Sequence, residues 1–147
     1  MTTTTDILRA QGGRTAATPA TVMVQYGFSF TASASSAALN TLDGTAALVL
    51  PSGFVPQGVI FNGAGTGGSS PTFDLGYVSA TDVFLNEADA DGGVSAIWQG
   101  TATGGTGLGV KLTADKAVWG GKGASAATGG TVSGWIVGIH YDDGTGI

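Results

Sequence analysis

The sequence lacks cysteine and has few charged residues. Only 10% of its 147 residues are Asp, Glu, Lys or Arg, against roughly a quarter in an average soluble domain. Without cysteine there is neither a disulfide framework nor a thiolate metal site. The longest strongly apolar run, Ala46–Leu50, is too short to span a bilayer, and the N-terminal residues have no apolar segment of the kind found in secretory signals. We therefore expect synthesis in a cytoplasm and no membrane partner.

Positive charge is especially scarce. Ten acidic and five basic residues give a net charge of −5, and the isoelectric point is near 4.3. Nucleic-acid binding depends on clustered Lys and Arg that neutralise phosphates, whereas these five residues are spread along the chain. A nucleic-acid partner is not expected.

The helix formers Glu, Lys, Arg and Gln are also scarce, while Gly occurs 27 times. The apolar residues follow the period of a β-strand. Val22, Val24, Tyr26, Phe28 and Phe30 alternate with Met23, Gln25, Gly27 and Ser29. This alternation predicts a strand with one buried face. Similar short patterns predict further strands at 46–50, 55–61, 72–78, 83–85, 94–99, 108–113, 117–119 and 132–141. Short strands separated by Gly- and Ser-rich turns predict an all-β fold, an antiparallel β-sandwich that is jelly-roll-like. An immunoglobulin-like sandwich is the alternative.

The same alternation predicts the core of this sandwich. In the last strand it assigns Trp135, Val137 and Ile139 to the buried face. The full predicted core is Val22, Val24, Tyr26, Phe28, Phe30, Leu75, Val110, Leu112, Trp135, Val137 and Ile139.

Residues 1–20 differ from the rest of the chain and predict an extended N-terminal arm in front of a single domain, residues 21–147. The arm holds both arginines, Arg9 and Arg14, and only Ile7 and Leu8 as bulky apolar residues. Arginines pair with carboxylates while apolar side chains bury area. These four residues are the predicted partner-binding site, and a disordered tail is the alternative.

Three sequence patterns resemble binding sites for a dinucleotide, calcium or zinc, but each lacks a residue or element that such a site requires. Gly63, Gly65 and Gly68 have dinucleotide-fingerprint spacing, but a predicted strand follows instead of a helix. Glu87-x-Asp89-x-Asp91 has the spacing of a calcium loop, but Trp98 occupies the closing position, so a solvated turn is predicted. His140 is the single histidine and has no thiolate with which to bind zinc. We predict no catalytic residue, metal or cofactor, and therefore no enzyme.

The three tryptophans allow a second interpretation. Trp98, Trp119 and Trp135 can form either a platform on which sugars stack or part of a core. Because aromatic residues in strands are more often buried, we predict the core.

The segment from Ala46 to Asp143 resembles the small decoration, or cement, proteins of tailed-bacteriophage heads. The likeness lies in the turn Leu50-Pro51-Ser52-Gly53, the strand with Thr72, Asp74 and Gly76, the segment Asp82–Leu85, and the closing strand GTVSGWIVGIHYDD. Ser52 is an insertion relative to that pattern.

This resemblance implies a non-enzymatic virion protein on the capsid exterior. Its implied partners are the major capsid protein and itself, as a homotrimer. A phage tail or fibre adhesin, or a carbohydrate-binding β-sandwich module, is the alternative.

Overall fold

Nine antiparallel strands form the fold in the computed structural model, which describes residues 20–64, 67–101, 103–125 and 127–142. They are β1 (Ala20–Thr31), β2 (Ala37–Ala38), β3 (Val49–Leu50), β4 (Phe54–Ala64), β5 (Thr72–Tyr77), β6 (Ala80–Asp89), β7 (Gly93–Trp98), β8 (Lys116–Lys122) and β9 (Thr131–Asp142). Within these ranges there is no helix, and hence none that could cross a membrane. The predicted all-β class is confirmed.

The strands form two sheets with jelly-roll connectivity. One sheet has the order β1-β9-β4-β7, and the other has the order β2-β8-β5-β6 with β3 also paired to β8. If β2 and β3 are taken as two halves of one interrupted strand, eight strands pass between the sheets in the order of a jelly roll. The β-sandwich prediction is therefore confirmed in its topology as well as its class.

The core lies between the sheets and is rich in phenylalanine. Phe61 of the four-stranded sheet meets Phe73 of the other sheet edge to face, with ring centroids 4.9 Å apart. Each fully buried side chain of this size contributes about 1.5–3 kcal/mol by leaving water. The largest fully buried side chains are Phe28, Phe54, Phe73, Phe84, Leu50, Leu75, Leu85, Ile136, Val59, Val118 and Val132.

The predicted core is correct in β1 and wrong in β9. Phe28, Leu75 and Leu112 are buried, and Val24, Tyr26 and Phe30 pack against the buried cluster; Val22 is half-buried.

In β9 the residues that face the core are Val132 and Ile136, so Trp135, Val137 and Ile139 point to the opposite side of the sheet. The error arose because the centre of β9 has apolar residues on both sides of the strand. The residue pattern then does not indicate which side is buried.

The strand predicted at 108–113 is also wrong. These residues form turns and irregular backbone, held by hydrogen bonds from the Gly109 N–H to the Pro56 carbonyl and from the Leu112 N–H to the Phe54 carbonyl. Leu112 is buried, but Val110 is 54% exposed and does not belong to the core. The alternation of Leu108, Val110 and Leu112 therefore reflects a loop that anchors two of its apolar side chains.

The predicted N-terminal arm lies outside the described residues. Ile7, Leu8, Arg9 and Arg14 all precede residue 20. Their role as a partner-binding site, and the division into residues 1–20 and 21–147, stay predictions.

Candidate interaction surface on the four-stranded sheet

The side of the β1-β9-β4-β7 sheet that faces away from the core is a candidate interaction surface. Side chains on a strand alternate between the two faces, so the neighbours of the buried residues Phe28, Val59, Phe61, Val132 and Ile136 point outward. We call the surface they form the outer face. It consists of Met23, Gln25, Gly27, Ser29, Val55, Gly58, Ile60, Asn62, Val94, Ala96, Trp98, Ser133, Trp135, Val137 and Ile139.

Strand register arranges these residues in rows across the sheet. Trp135 lies between Gly27 of β1 and Ile60 of β4, and Ile60 in turn pairs with Ala96 of β7. Neighbouring side chains in such rows are close enough to contact one another. The apolar residues are therefore contiguous across all four strands.

The two tryptophans of the outer face pack over glycines. A Cβ at Gly58 would lie 2.3 Å from Cε3 of Trp98, and one at Gly27 would lie 2.9 Å from Cζ3 of Trp135. The absence of a side chain at both glycines lets the indole rings lie close to the backbone. Trp98 nevertheless stays 44% exposed and Trp135 39% exposed, so both rings are available to a partner.

Leu42, from the connection between β2 and β3, completes the surface. It is 53% exposed and lies over Gly27 beside Trp135. It borders a depression of about 310 Å³ that reaches Ile60 and Val94, and a second one of about 390 Å³ that reaches Asp43. The outer face is thus uneven, with raised side chains beside shallow hollows.

Charge divides the two sheets. The sequences of β1, β4, β7 and β9 contain a single Asp, Glu, Lys or Arg, which is Asp142 at the end of β9. The other sheet carries Asp74, Asp82, Glu87, Asp89, Lys116 and Lys122. The outer face itself therefore has no charged residue.

Asp43 stands at the rim of this surface and keeps its charge. The hydroxyl of Thr41, the N–H of Thr45 and the hydroxyl of Thr45 all donate to its Oδ1. These bonds, that of Thr41 foremost, lower the pKa of Asp43 to about 2. The rim is anionic at neutral pH, while the centre is uncharged.

An antiparallel sheet with one face in water normally alternates apolar and polar residues. Here the outer face carries the neutral polar residues Gln25, Ser29, Asn62 and Ser133 but is otherwise apolar. Met23 is 62% exposed and Val94 77% exposed. A contiguous exposed apolar patch with a polar rim marks an interaction surface. The outer face is suited to binding by burial of area.

The acidic segment predicted to be a solvated turn is only partly a turn. Glu87 and Asp89 belong to β6, and Asp91 lies in the exposed bend before β7. The carboxylate of Glu87 accepts the Ala124 N–H at 2.8 and 2.9 Å and also accepts the Thr72 hydroxyl. The Glu87 N–H donates to Asp74 at 2.8 Å. Burial, together with the charges of Glu87 and Asp82, raises the pKa of Asp74 against the lowering effect of that hydrogen bond. Among the described residues no group of three or more potential ligands is placed to hold a metal.

The other residues considered from the sequence are dispersed. His140 is half-buried in β9 opposite Val22 and Phe54. Trp119 lies in β8 of the other sheet, so the three tryptophans do not form one platform. The prediction that they belong to the core is wrong for Trp98 and Trp135, which are exposed. Gly63 lies near the end of β4, and the next element along the chain is strand β5. This glycine-rich segment is therefore not followed by a helix whose N-terminus could bind a dinucleotide phosphate.

Sequence reasoning missed the outer face because it placed Trp135, Val137 and Ile139 in the core. A partial signal was nevertheless present, since the predicted strands 22–30, 55–61, 94–99 and 132–141 contain no charged residue. The short predicted strands 46–50, 83–85 and 117–119 of the other sheet share this property. That signal predicts sheets covered on both sides.

Comparison with known proteins shows a similarity of fold and no match in sequence. No protein-family model matches the sequence, and no curated protein does so. A similar solved structure is a chain of "Cyanophage Pam1 capsid asymmetric unit", with a TM-score of 0.54 and 16% sequence identity over 82% of this chain and 85% of that chain. Since the two shares are nearly equal, the two chains are of similar length and share most of one fold.

Proposed function

We propose that this protein is a non-enzymatic structural component of a bacteriophage virion. More specifically, it is a decoration or cement protein that binds the major capsid protein on the outside of the shell. The observation that carries the proposal is the outer face, an uncharged and largely apolar surface through which the subunits of such a particle can contact one another. The shared fold with a chain of a phage capsid asymmetric unit supports a role in a virion.

Such a protein stabilises a shell by mass action. If it binds assembled capsid and not the separated subunits, its binding free energy opposes disassembly, just as a ligand of the native state opposes unfolding. A specific interface buries about 800 Å² on each partner, with an apolar centre and a polar rim. The outer face, with Asp43 and Thr41 at its edge, has this organisation.

The remaining parts of the proposal concern assembly. The protein is made in the host cytoplasm, forms a homotrimer and occupies the capsid exterior. Its N-terminal arm, through Ile7, Leu8, Arg9 and Arg14, reaches a neighbouring subunit or the capsid. Ordering such an arm costs about 1–2 kcal/mol per residue in backbone entropy, so its docking must bury substantial surface.

The decisive experiment is reconstitution on capsids that lack the protein. Purified protein is added, bound copies are counted after sedimentation, and the temperature of capsid disruption is measured with and without it. We expect saturable binding and a higher disruption temperature. Absence of binding to the shell contradicts the proposal.

The arm is tested in the same assay by deleting residues 2–18. Reduced occupancy is expected if the arm docks. Unchanged occupancy shows that the tail is inert and leaves the role of the folded domain standing.

A second candidate function, an adhesin or carbohydrate-binding module, is favoured by the exposure of Trp98 and Trp135 on one face. Indole rings stack on the apolar faces of sugars, and Gln25 and Asn62 supply neutral hydrogen-bonding groups nearby. Titration with host-surface polysaccharide, followed by tryptophan fluorescence, separates the two functions. Saturable quenching that Trp98→Ala abolishes favours the carbohydrate module.

A further inference from the structure

We propose that the outer face is covered by a second copy of this chain, so that it is the subunit contact of a homo-oligomer. The inference rests on the proposed function, which includes self-association, and it names the surface that carries this contact. Two outer faces stack directly about a two-fold axis, and the charge and shape considered below are those of this pair. In a homotrimer each outer face instead contacts two neighbours through different parts of its surface, because a three-fold interface is heterologous.

Charge favours an identical partner. Each copy has a net charge of −5, yet the outer face is uncharged, and the acidic strands belong to the opposite sheet. Sheets stack about 10 Å apart, so two copies that meet through their outer faces hold their acidic sheets roughly three spacings, about 30 Å, apart. The Debye length at physiological ionic strength is only about 8 Å. Mutual repulsion is therefore screened in this orientation, and approach through the acidic sheets is opposed.

The absence of charge also argues against a strongly charged partner surface. Electrostatic complementarity gives a protein its choice of partner and its rate of encounter. A face built for an acidic or basic partner would present the opposite charge, and no residue of the outer face does so. An apolar, uncharged surface is matched best by another apolar, uncharged surface, and the second copy supplies one of equal extent.

Shape is compatible with self-association. Identical sheets have the same twist, and twisted sheets stack with their strands about 30° apart. Met23 and Val94 project from opposite regions of the face, at 62% and 77% exposure. Hollows lie beside them, one of about 120 Å³ bordered by Met23 and Val137 and one of about 310 Å³ bordered by Val94 and Ile60. Projecting side chains of one copy can thus occupy the hollows of another.

The extent of the face is appropriate for the centre of an interface. Four strands at about 4.8 Å spacing, and the six steps from Ser133 to Ile139 at about 3.4 Å each, give roughly 400 Å² in projection. The projecting side chains increase the accessible area above this value. A standard interface buries about 800 Å² per partner, so the outer face forms its apolar centre, and Leu42 with the polar edge residues extends it.

The test is the mass of the protein in solution, measured by sedimentation velocity across a range from about 1 μM to 100 μM. The monomer mass is 14.4 kDa, and we expect the wild type to sediment as a multiple of it. The variant Met23→Lys/Val94→Lys places two positive charges on the outer face at positions that are mostly exposed in the monomer. We expect it to weaken association by at least ~100-fold.

A matched control keeps the result specific. Val49→Lys/Val78→Lys introduces the same two side chains and the same charge at positions that are 40% and 63% exposed. Val49 lies in β3 and Val78 directly follows β5, and both strands belong to the other sheet. This control is expected to associate like the wild type. Circular dichroism and thermal melting of both variants verify folding.

Two results overturn the inference: a wild type that is monomeric throughout the concentration range, or an outer-face variant that associates as strongly as the control. The capsid-binding assay is independent of both. A monomer that still binds and stabilises capsids refutes the inference and leaves the proposed function intact. An oligomer that dissociates in the outer-face variant but has no affinity for capsids supports the inference and refutes the proposed function.

Discussion

The adjacent residues Ile136 and Val137 provide a sharp test of the fold, because β9 turns them to opposite sides of the sheet. Ile136 is fully buried in the core, while Val137 belongs to the outer face and pairs with Gln25 and Gly58. The two alanine variants differ by one position in the sequence. Their effects on the free energy of unfolding should differ several-fold.

The expected magnitudes follow from burial. Ile136→Ala removes three carbon atoms from a site without solvent, at about 0.8 kcal/mol each, or roughly 2.4 kcal/mol. The cavity left behind adds to this, and buried Ile→Ala changes range over about 2–5 kcal/mol. Val137→Ala removes two carbons from a half-exposed face of the monomer, so about 1 kcal/mol or less is expected.

Equilibrium urea unfolding, followed by circular dichroism, measures both changes. Because association adds to apparent stability, both substitutions are made in the Met23→Lys/Val94→Lys background. With a urea dependence of about 1.5 kcal/mol per M, a loss of 3 kcal/mol lowers the midpoint by about 2 M. If Val137→Ala costs as much as Ile136→Ala, the assignment of the two faces of β9 is refuted.

Three further outcomes are expected. Phe28→Ala should cost about 3–5 kcal/mol in urea unfolding, since its ring is fully buried; a near-neutral result would place the ring at a surface. Gly58→Ala should displace the Trp98 ring, because the new Cβ would lie 2.3 Å from it. We expect a destabilisation of about 1–3 kcal/mol and a shift in tryptophan emission, and an unchanged spectrum would count against the packing described. Asp74→Asn should be neutral or stabilising at pH 7. Burial raises the pKa of the Asp74 carboxyl on folding, so ionisation costs stability above the folded pKa, and Asn keeps an acceptor for the Glu87 N–H. Unfolding measured against pH should show this gain fading below about pH 4, where Asp is protonated in both states; a gain that grows in acid would reverse the sign.

The class of fold follows from the sequence because it depends on local, repeated features. The alternation from Val22 to Phe30 has the period of a strand, and the glycine-rich segments cannot sustain helices. The spacing of these segments is sufficient to predict an antiparallel sandwich. In β1 the pattern also gives the buried face, because Gln25, Gly27 and Ser29 contrast with the bulky apolar residues between them.

Tertiary structure alone decided which face of β9 is buried and what the outer face is. Ile136 and Val137 are similar in hydrophobicity, and a strand whose central residues are apolar on both sides has no preferred phase. Its register with β1 and β4 fixes the phase, since Ile136 pairs with Tyr26 and Val59, whose side chains also face the core. The same register gathers Trp98 and Trp135 from strands far apart in the chain onto one surface. Such proximity depends on non-local pairing, which composition and spacing do not encode.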